Sequence, residues 1–205
     1  MFRIIAIVLL SSLLLQTAFA QTDSATVKKF RHGISVGTFI SGVPGYPYYT
    51  VSYSIAKGRN RFSIGPVLGE KGGGYEGPRY YYQIHLKNES IFKGLTGVYQ
   101  FFPNPLGKRY DLFFQYEATW FYFKYDGMNT QTLIETTLPN YASCWYFGQY
   151  FGYGLRVRFL KNFEITHNIG LGYLVGGFKE SGMKSRSAGH GLSGNTRLSL
   201  SYTFR

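Results

Sequence analysis

Apolar and polar residues alternate with a period of two along most of this chain. In the C-terminal segment LSLSYTFR (198–205), every second residue is leucine or aromatic, and the residues between them are serine, threonine or arginine. Successive side chains of a β-strand point to opposite faces, so the alternation predicts a strand with one apolar face and one polar face. The apolar face must lie against either a protein core or lipid.

The same alternation recurs in seven earlier segments, which predicts an all-β fold. The eight predicted strands cover about 32–41, 48–57, 61–69, 91–102, 110–124, 145–159, 163–176 and the C-terminal segment. Lys57 to Asn60 has the pattern of a two-residue hairpin with glycine first. Pro66 predicts a bulge or a strand end, because proline donates no ladder hydrogen bond. Residues 80–90 could form an extra strand, which leaves ten strands as an alternative.

Short turns and long polar loops alternate after the first hairpin. The turns at 58–59 and 160–162 are short, whereas the predicted polar loops at 125–143 and 177–193 are long. This asymmetry, together with an even number of strands, is typical of an antiparallel up-and-down transmembrane β-barrel. Both chain ends would then lie on the side of the short turns, in the periplasm.

We call the residues of the apolar faces the apolar row and those of the polar faces the polar row. The composition of the two rows favours lipid as the neighbour of the apolar face. Aromatic residues make up 19% of the chain, glycine contributes 26 residues, and charged residues only 16%, which favours sheet over helix. The polar row is mostly Gly, Ser, Thr and Asn, which fit the crowded lumen of an eight-stranded barrel. The apolar row is rich in Tyr, Trp and Phe, as a lipid-facing band requires. A soluble lipocalin-like ligand carrier, whose apolar row lines a cavity, is the alternative.

The N-terminus has the pattern of a secretory signal peptide. Arg3 precedes an apolar stretch at 4–15, and Ala18-Phe19-Ala20 forms a cleavage site. We therefore predict a signal peptide at 1–20, a short periplasmic segment at 21–31, and an outer-membrane β-barrel domain at 32–205. Cys144 is the only cysteine, which excludes an intramolecular disulfide.

The few charges within the predicted strands lie on the polar row. They are Glu117, Arg156, Arg158, Glu164 and Arg197. Buried charges need partners, so we expect ion pairs inside the lumen. If the turn at 160–162 closes symmetrically, Arg158 lies opposite Glu164 and pairs with it; the alternative is a pair of solvated charges.

The predicted topology places many of the residues that give the chain its net charge of +12 at one end of the barrel. The basic residues expected at or near the periplasmic rim are Lys28, Lys29, Arg31, Lys57, Arg59, Arg61, Lys108, Arg109, Lys161 and Arg205. There they could meet anionic phospholipid headgroups or simply keep the turns hydrated. Nucleic acid is not needed as a partner for an exported chain.

From about His32 to Arg205, the chain resembles the small eight-stranded outer-membrane barrels of Gram-negative bacteria, the OmpA/OmpX-like class. The clearest signature is Leu198, Leu200, Tyr202 and Phe204, which is similar to the C-terminal signal read by the barrel-assembly machinery. In that signal an aromatic residue ends the chain, whereas here Arg205 follows Phe204. We expect a monomer surrounded by phospholipid and lipopolysaccharide.

Candidate chemistry is sparse. The chain has no HExxH, GxSxG or phosphate-loop motif. His167 lies on the lipid-facing row and resembles the histidine of barrel lipid-A deacylases, but Ile169 stands where those enzymes carry a serine. We therefore expect no catalytic residue, no cofactor and no metal site, and an outer-wall lipid-A-modifying enzyme is an alternative function.

The predicted loops are better candidates for binding. Lys179, Lys184 and Arg186 could contact the phosphates of lipopolysaccharide, or dock on the acidic loop at 125–143; solvated loops without a partner are the third possibility. Because side chains fill the lumen of an eight-stranded barrel, we expect no general diffusion pore. A narrow channel past Glu117, Arg156 and Arg197 is an alternative. The expected function is a structural or surface-interaction role through extracellular loops.

Overall fold

The computed structural model describes residues 30–41, 47–69, 90–104, 109–126, 141–180 and 186–204. They form eight antiparallel strands, which confirms the predicted fold class. The strands are β1 (Arg31–Ser41), β2 (Tyr48–Lys57), β3 (Asn60–Leu68), β4 (Phe92–Phe101), β5 (Tyr110–Asp126), β6 (Tyr141–Arg158), β7 (Phe163–Glu180) and β8 (Arg186–Thr203). No helix within these ranges is long and apolar enough to cross a membrane. The predicted signal peptide lies outside the described residues.

Each strand pairs with its neighbour in sequence, and β1 pairs with β8 to close the barrel. The closing ladder runs from Gly33 opposite Thr203 to Ser41 opposite Asn195. Because β3 pairs directly with β4, the barrel is complete with eight strands, and the ten-strand alternative is wrong. One end of the barrel carries residues 30, 58–59, 102–104, 109, 159–162 and 204, and we call it the turn rim. We call the opposite end the loop rim.

Two predicted loops are shorter than expected, because the strands continue into them. β5 and β6 pair out to Asp126 opposite Tyr141, and β7 and β8 pair out to Phe178 opposite Arg186. The predictions of loops over 125–143 and 177–193 were therefore wrong at their edges. Backbone pairing requires no apolar row, so a Gly- and Ser-rich hairpin continues where the alternation that reveals a strand in the sequence has ended.

Two local features follow from glycine and proline chemistry. The predicted two-residue hairpin is confirmed, since Lys57 pairs with Asn60 and Gly58 has φ of 62°. On the next strand, the described β2–β3 ladder pairs Thr50 with Val67 and Tyr53 with Ile64, so Pro66 falls in an interruption of the ladder. Proline has no N–H to donate towards β2, which accounts for this interruption, whereas Pro66 is paired with Leu95 in the β3–β4 ladder.

The two predicted rows face opposite sides of the wall. Large apolar side chains of every strand are exposed on the outside, including Ile34, Val51, Ile64, Leu95, Phe114, Phe151, Leu171 and Leu200. The inward row is buried and largely polar, including Ser52, Thr96, Gln115, Glu117, Asn168, Arg197 and Ser201. A soluble ligand carrier needs the reverse arrangement, with its apolar row inside, so that alternative does not fit this barrel.

Aromatic side chains close the lumen on either side of its polar centre. Towards the loop rim, a buried apolar cluster contains Phe39, Tyr48, Val67, Phe121, Phe123, Cys144 and Tyr146. Towards the turn rim, the rings of Phe102 and Phe113 pack with centroids 5.4 Å apart, and both are buried. These residues lie on the inward row, which the sequence pattern predicted to be mostly small and polar.

Gly94 is expected to tolerate no side chain. Its φ is +155°, and an added Cβ would lie 1.8 Å from the carbonyl oxygen of Trp120 on β5. We expect Gly94→Ala to lower the free energy of unfolding by about 1–3 kcal/mol, because β4 and β5 must separate locally. Urea unfolding in lipid vesicles measures the change. Gly97→Ala on the same strand is the control, since its Cβ meets nothing within 4 Å; equal losses would contradict the steric argument.

Candidate functional site

The centre of the lumen is organised around Glu117, which is 0% exposed. Its Oε1 accepts hydrogen bonds from Arg197 Nη2 at 2.6 Å and from the Thr119 hydroxyl at 3.0 Å. Its Oε2 accepts from Gln115 Nε2 and Asn195 Nδ2, both at 3.0 Å. Each carboxylate oxygen thus has two donors, which offsets much of the desolvation penalty of a buried charge.

Arg197 extends this central network to other strands. Its Nη2 also donates to the Thr96 hydroxyl on β4 at 3.2 Å, and its Nη1 donates to Thr50 on β2 at 3.5 Å. The guanidinium carbon lies 4.6 Å from the centroid of the Phe39 ring, which is a cation–π distance. The network therefore joins strands on opposite walls and leaves the centre of the barrel filled.

A second ionic group lies nearer the turn rim. Arg61 Nη1 donates to Glu164 Oε1, and Arg156 Nη2 donates to Asp111 Oδ2. Arg156 Nη1 is also 3.7 Å from Glu164 Oε2, so two arginines share one glutamate. The Phe102 ring lies 4.3 Å from the Arg156 guanidinium carbon and 5.5 Å from that of Arg61.

The partners of Glu164 differ from those the sequence predicted. Arg158 does lie opposite Glu164 in the β6–β7 ladder, but the ion pairs of Glu164 among the described residues are with Arg61 and Arg156. Arg61, which was expected at the rim, is buried inside the barrel. In so narrow a barrel, long side chains meet across the lumen, so a distant strand can supply the partner that a ladder neighbour was expected to supply.

A cavity of about 600 Å³ lies at the turn rim, above the second ionic group. We call this cavity the vestibule. Its lining residues are Phe30, Arg31, His32, Ser54, Ala56, Arg61, Arg156, Arg158, Lys161, Asn162, Glu164, Thr203 and Phe204. Five of these side chains are arginine or lysine and one is a carboxylate, so the positive charge of the vestibule exceeds its described acid.

His167, the histidine considered for catalysis, lies on the outer wall. Its Nε2 is 3.2 Å from the Thr196 hydroxyl, which in turn lies 3.1 Å from the carbonyl oxygen of Asn168. Leu155 and Leu198 are its neighbours across the two ladders. The described contacts give His167 a hydroxyl partner but no carboxylate to orient it, so the three-residue arrangement of an activated nucleophile is not assembled there.

Two of the three basic residues considered for surface binding belong to strands that end at the loop rim. Lys179 is near the end of β7 and Arg186 begins β8, while Lys184 lies outside the described residues. The structure therefore brings the backbones of Lys179 and Arg186 to one end of a single hairpin. Cys144 is buried in the apolar cluster, and the described part of the chain contains no group of three or more His, Cys, Asp or Glu side chains that could hold a metal ion.

The residues of the predicted assembly signal all lie on the outer wall of β8 or just beyond it. Leu198, Leu200, Tyr202 and Phe204 are exposed, and Phe204 also lines the vestibule. The Tyr202 ring contacts Phe163 of β7 at 4.9 Å and Phe204 at 5.3 Å between centroids. These rings form part of an aromatic group at the turn rim.

A closed barrel with an apolar outer wall and an ionic lumen defines the class of transmembrane β-barrel proteins. No family model and no curated protein matches the chain. Among solved structures, it is similar to a major outer membrane protein from Thermus thermophilus, with a TM-score of 0.52 over 85% of this chain and 99% of that chain. At 10% sequence identity, the likeness shows the outer-membrane barrel fold alone.

Sequence reasoning missed Asp111 and Arg61 as members of the lumen network. Asp111 is on the inward row and lies opposite Arg156 in the β5–β6 ladder. A loop of uncertain length separates the two residues in sequence, so the register of β5 against β6 could not be derived by counting residues from the turn. The inward-facing aromatic residues were also missed, although the sequence contains a signal that indicates them. Where an aromatic residue directly precedes an outward one, as in Phe113-Phe114 and Phe121-Tyr122, the inward row is not purely polar.

Proposed function

We propose that this protein is an integral outer-membrane barrel with a structural or surface-interaction role, and that it is not a diffusion pore. The observation that carries the proposal is the distribution of polarity: every strand exposes large apolar side chains outward while Arg, Glu, Gln and Asn are buried inside. A water-soluble protein would not expose a continuous apolar wall of this size. In a bilayer, the same apolar wall contacts the hydrocarbon chains of the lipids.

The contents of the lumen support the absence of a pore. The side chains of Phe39, Phe121, Tyr150 and Arg156 are each exposed by 1% or less, so they leave no wide path along the barrel axis. The central network fills the middle, and the aromatic cluster lies between it and the loop rim. A barrel of eight strands has room inside only for side chains.

The finer parts of the proposal concern orientation and partners. We place the turn rim in the periplasm and the loop rim at the cell surface, as in the OmpA/OmpX-like class, with insertion by the barrel-assembly machinery. Lipopolysaccharide, contacted by Lys179, Lys184 and Arg186, is the proposed surface partner, and the barrel is a monomer. The proposal includes no catalysis, because the described surroundings of His167 supply no acid.

The proposal predicts a heat-modifiable, non-conducting protein. In outer membranes from cells expressing the full chain, we expect the unboiled protein to migrate differently from the boiled protein on a detergent gel, because a closed barrel resists the detergent until heated. In planar bilayers, the purified barrel is expected to give no stable conductance. A protein recovered in the soluble periplasm without a mobility shift would contradict membrane residence, and reproducible open channels would contradict the plugged lumen.

A further inference from the structure

The vestibule combines an excess of positive charge with enclosure. Its lining includes Arg31, Arg61, Arg156, Arg158 and Lys161, against Glu164 as the single lining carboxylate among the described residues. Asp111, which is bound to Arg156, is the next acid beneath them. Clefts lined by one sign of charge and bounded by low-dielectric walls concentrate counter-ions.

The floor of the vestibule holds a partly unsatisfied arginine. Arg156 is 0% exposed, and its Nη1 and Nε atoms have no hydrogen-bond partner among the described residues. Nη1 is 3.7 Å from Glu164, too far for a hydrogen bond. A buried donor without an acceptor is costly, so the floor of the vestibule carries a guanidinium whose charge and hydrogen-bonding groups are only partly compensated.

We propose that the vestibule is a binding site for a small polyvalent oxyanion that carries phosphate or carboxylate groups. Arginine forks bind such groups in a bidentate manner. Arg61 and Arg156 contact the Phe102 ring beneath the vestibule, which holds their guanidinium groups in place. Ser54, Asn162 and Thr203 add uncharged donors to the lining.

The volume fits this class of ligand. At about 600 Å³, the vestibule equals roughly 20 water molecules, which exceeds the need of a single inorganic phosphate and suits an anion with two phosphates or a phosphorylated small molecule. Phe30 and Phe204 lie among its lining residues, so an apolar part of the ligand has partners as well. That the ligand would come from the periplasm rests on the orientation proposed above, whereas the binding itself does not.

The test uses inorganic pyrophosphate as the probe and the refolded mature barrel in phosphatidylcholine nanodiscs. Isothermal titration calorimetry is expected to show saturable binding that weakens as salt is added. The vestibule variant is Arg158→Gln with Lys161→Gln, chosen because neither residue belongs to the buried ion pairs described above. We expect its dissociation constant to rise by about tenfold or more, since each removed cation contributes on the order of a few-fold at short range.

The matched control is Arg59→Gln with Arg109→Gln. Both residues lie at the same rim, and neither lines the vestibule. Their substitution removes the same amount of positive charge as the vestibule variant does. We expect this variant to bind pyrophosphate within about twofold of the unaltered barrel, because neither side chain lines the cavity and charges exposed to water at the rim are screened by salt. The heat-induced mobility shift of each variant establishes that the barrel is folded, so a failure of binding is distinguishable from a failure of the proposed membrane fold.

Two results would overturn the proposal: no saturable binding by the folded unaltered barrel, or equal weakening in the vestibule and control variants. A further arm identifies the source of the ligand once binding is established. If short-chain phosphatidylglycerol competes with pyrophosphate, the anion is a lipid headgroup. If it does not compete, the site selects a soluble anion.

Discussion

Replacing Glu117 with alanine is expected to lower the free energy of unfolding by about 3–5 kcal/mol. The substitution removes the only ion-pair partner that Arg197 has among the described residues and leaves the guanidinium buried. It also removes the acceptor of Asn195, Gln115 and Thr119. Urea unfolding of the barrel in lipid vesicles, followed by tryptophan fluorescence, measures the loss.

A double-mutant cycle separates the interaction energy of the ion pair from the destabilisation caused by the loss of side-chain volume. Glu117→Ala with Arg197→Met removes both charges and fills part of the space with an apolar chain. We expect this double variant to be more stable than Glu117→Ala alone, because no uncompensated charge remains. Additive losses from the two substitutions would show that Glu117 and Arg197 do not act as a pair.

Introducing arginine on the outer wall is expected to be nearly as costly. Ile169 is six residues beyond the start of β7 and faces outward, which places it roughly 15 Å from the turn rim and close to the middle of a hydrophobic band about 25 Å tall. Ile169→Arg is expected to lower the free energy of unfolding in vesicles by about 2–4 kcal/mol.

Leu160→Arg provides the control for this prediction. Leu160 is also an exposed apolar residue, but it lies in the turn between β6 and β7. Arginine there would meet water and headgroups, so its effect should stay within about 1 kcal/mol. If both substitutions were equally harmless, the outer wall would face water, and the proposed membrane location would be wrong.

The strands were predictable because most residues of the outward row are apolar and alternate with inward residues that are mostly small or polar. Residues such as Leu198, Leu200 and Tyr202 alternate with serine and threonine on one strand, and a period of two has only one structural interpretation at that length. The extensions of β7 to Glu180 and β8 to Arg186 were not predictable in this way. Their pairing depends on backbone hydrogen bonds, which leave no alternation in the sequence.

The ionic residues were predictable as a group but not as pairs. Glu117, Arg156, Glu164 and Arg197 were recognisable because charges on a strand of small residues must find partners inside the barrel. The pairing of Arg61 with Glu164 joins β3 to β7 across the lumen, and no local pattern encodes a contact between residues so far apart in sequence. The vestibule likewise combines residues of several strands with Phe30, just before β1, and Phe204, just after β8, so it emerges only from the closed barrel.

Gly33 of β1 pairs with Thr203 of β8, so one edge of the first strand stays unpaired until the last strand is in place. Until β8 arrives, β1 and β7 each have an edge of unpaired N–H and C=O groups, and such edges are prone to associate with other chains. Closure by residues so distant in sequence is also intrinsically slow. A copy of this chain in which β8 is absent or not yet paired is consequently prone to aggregate.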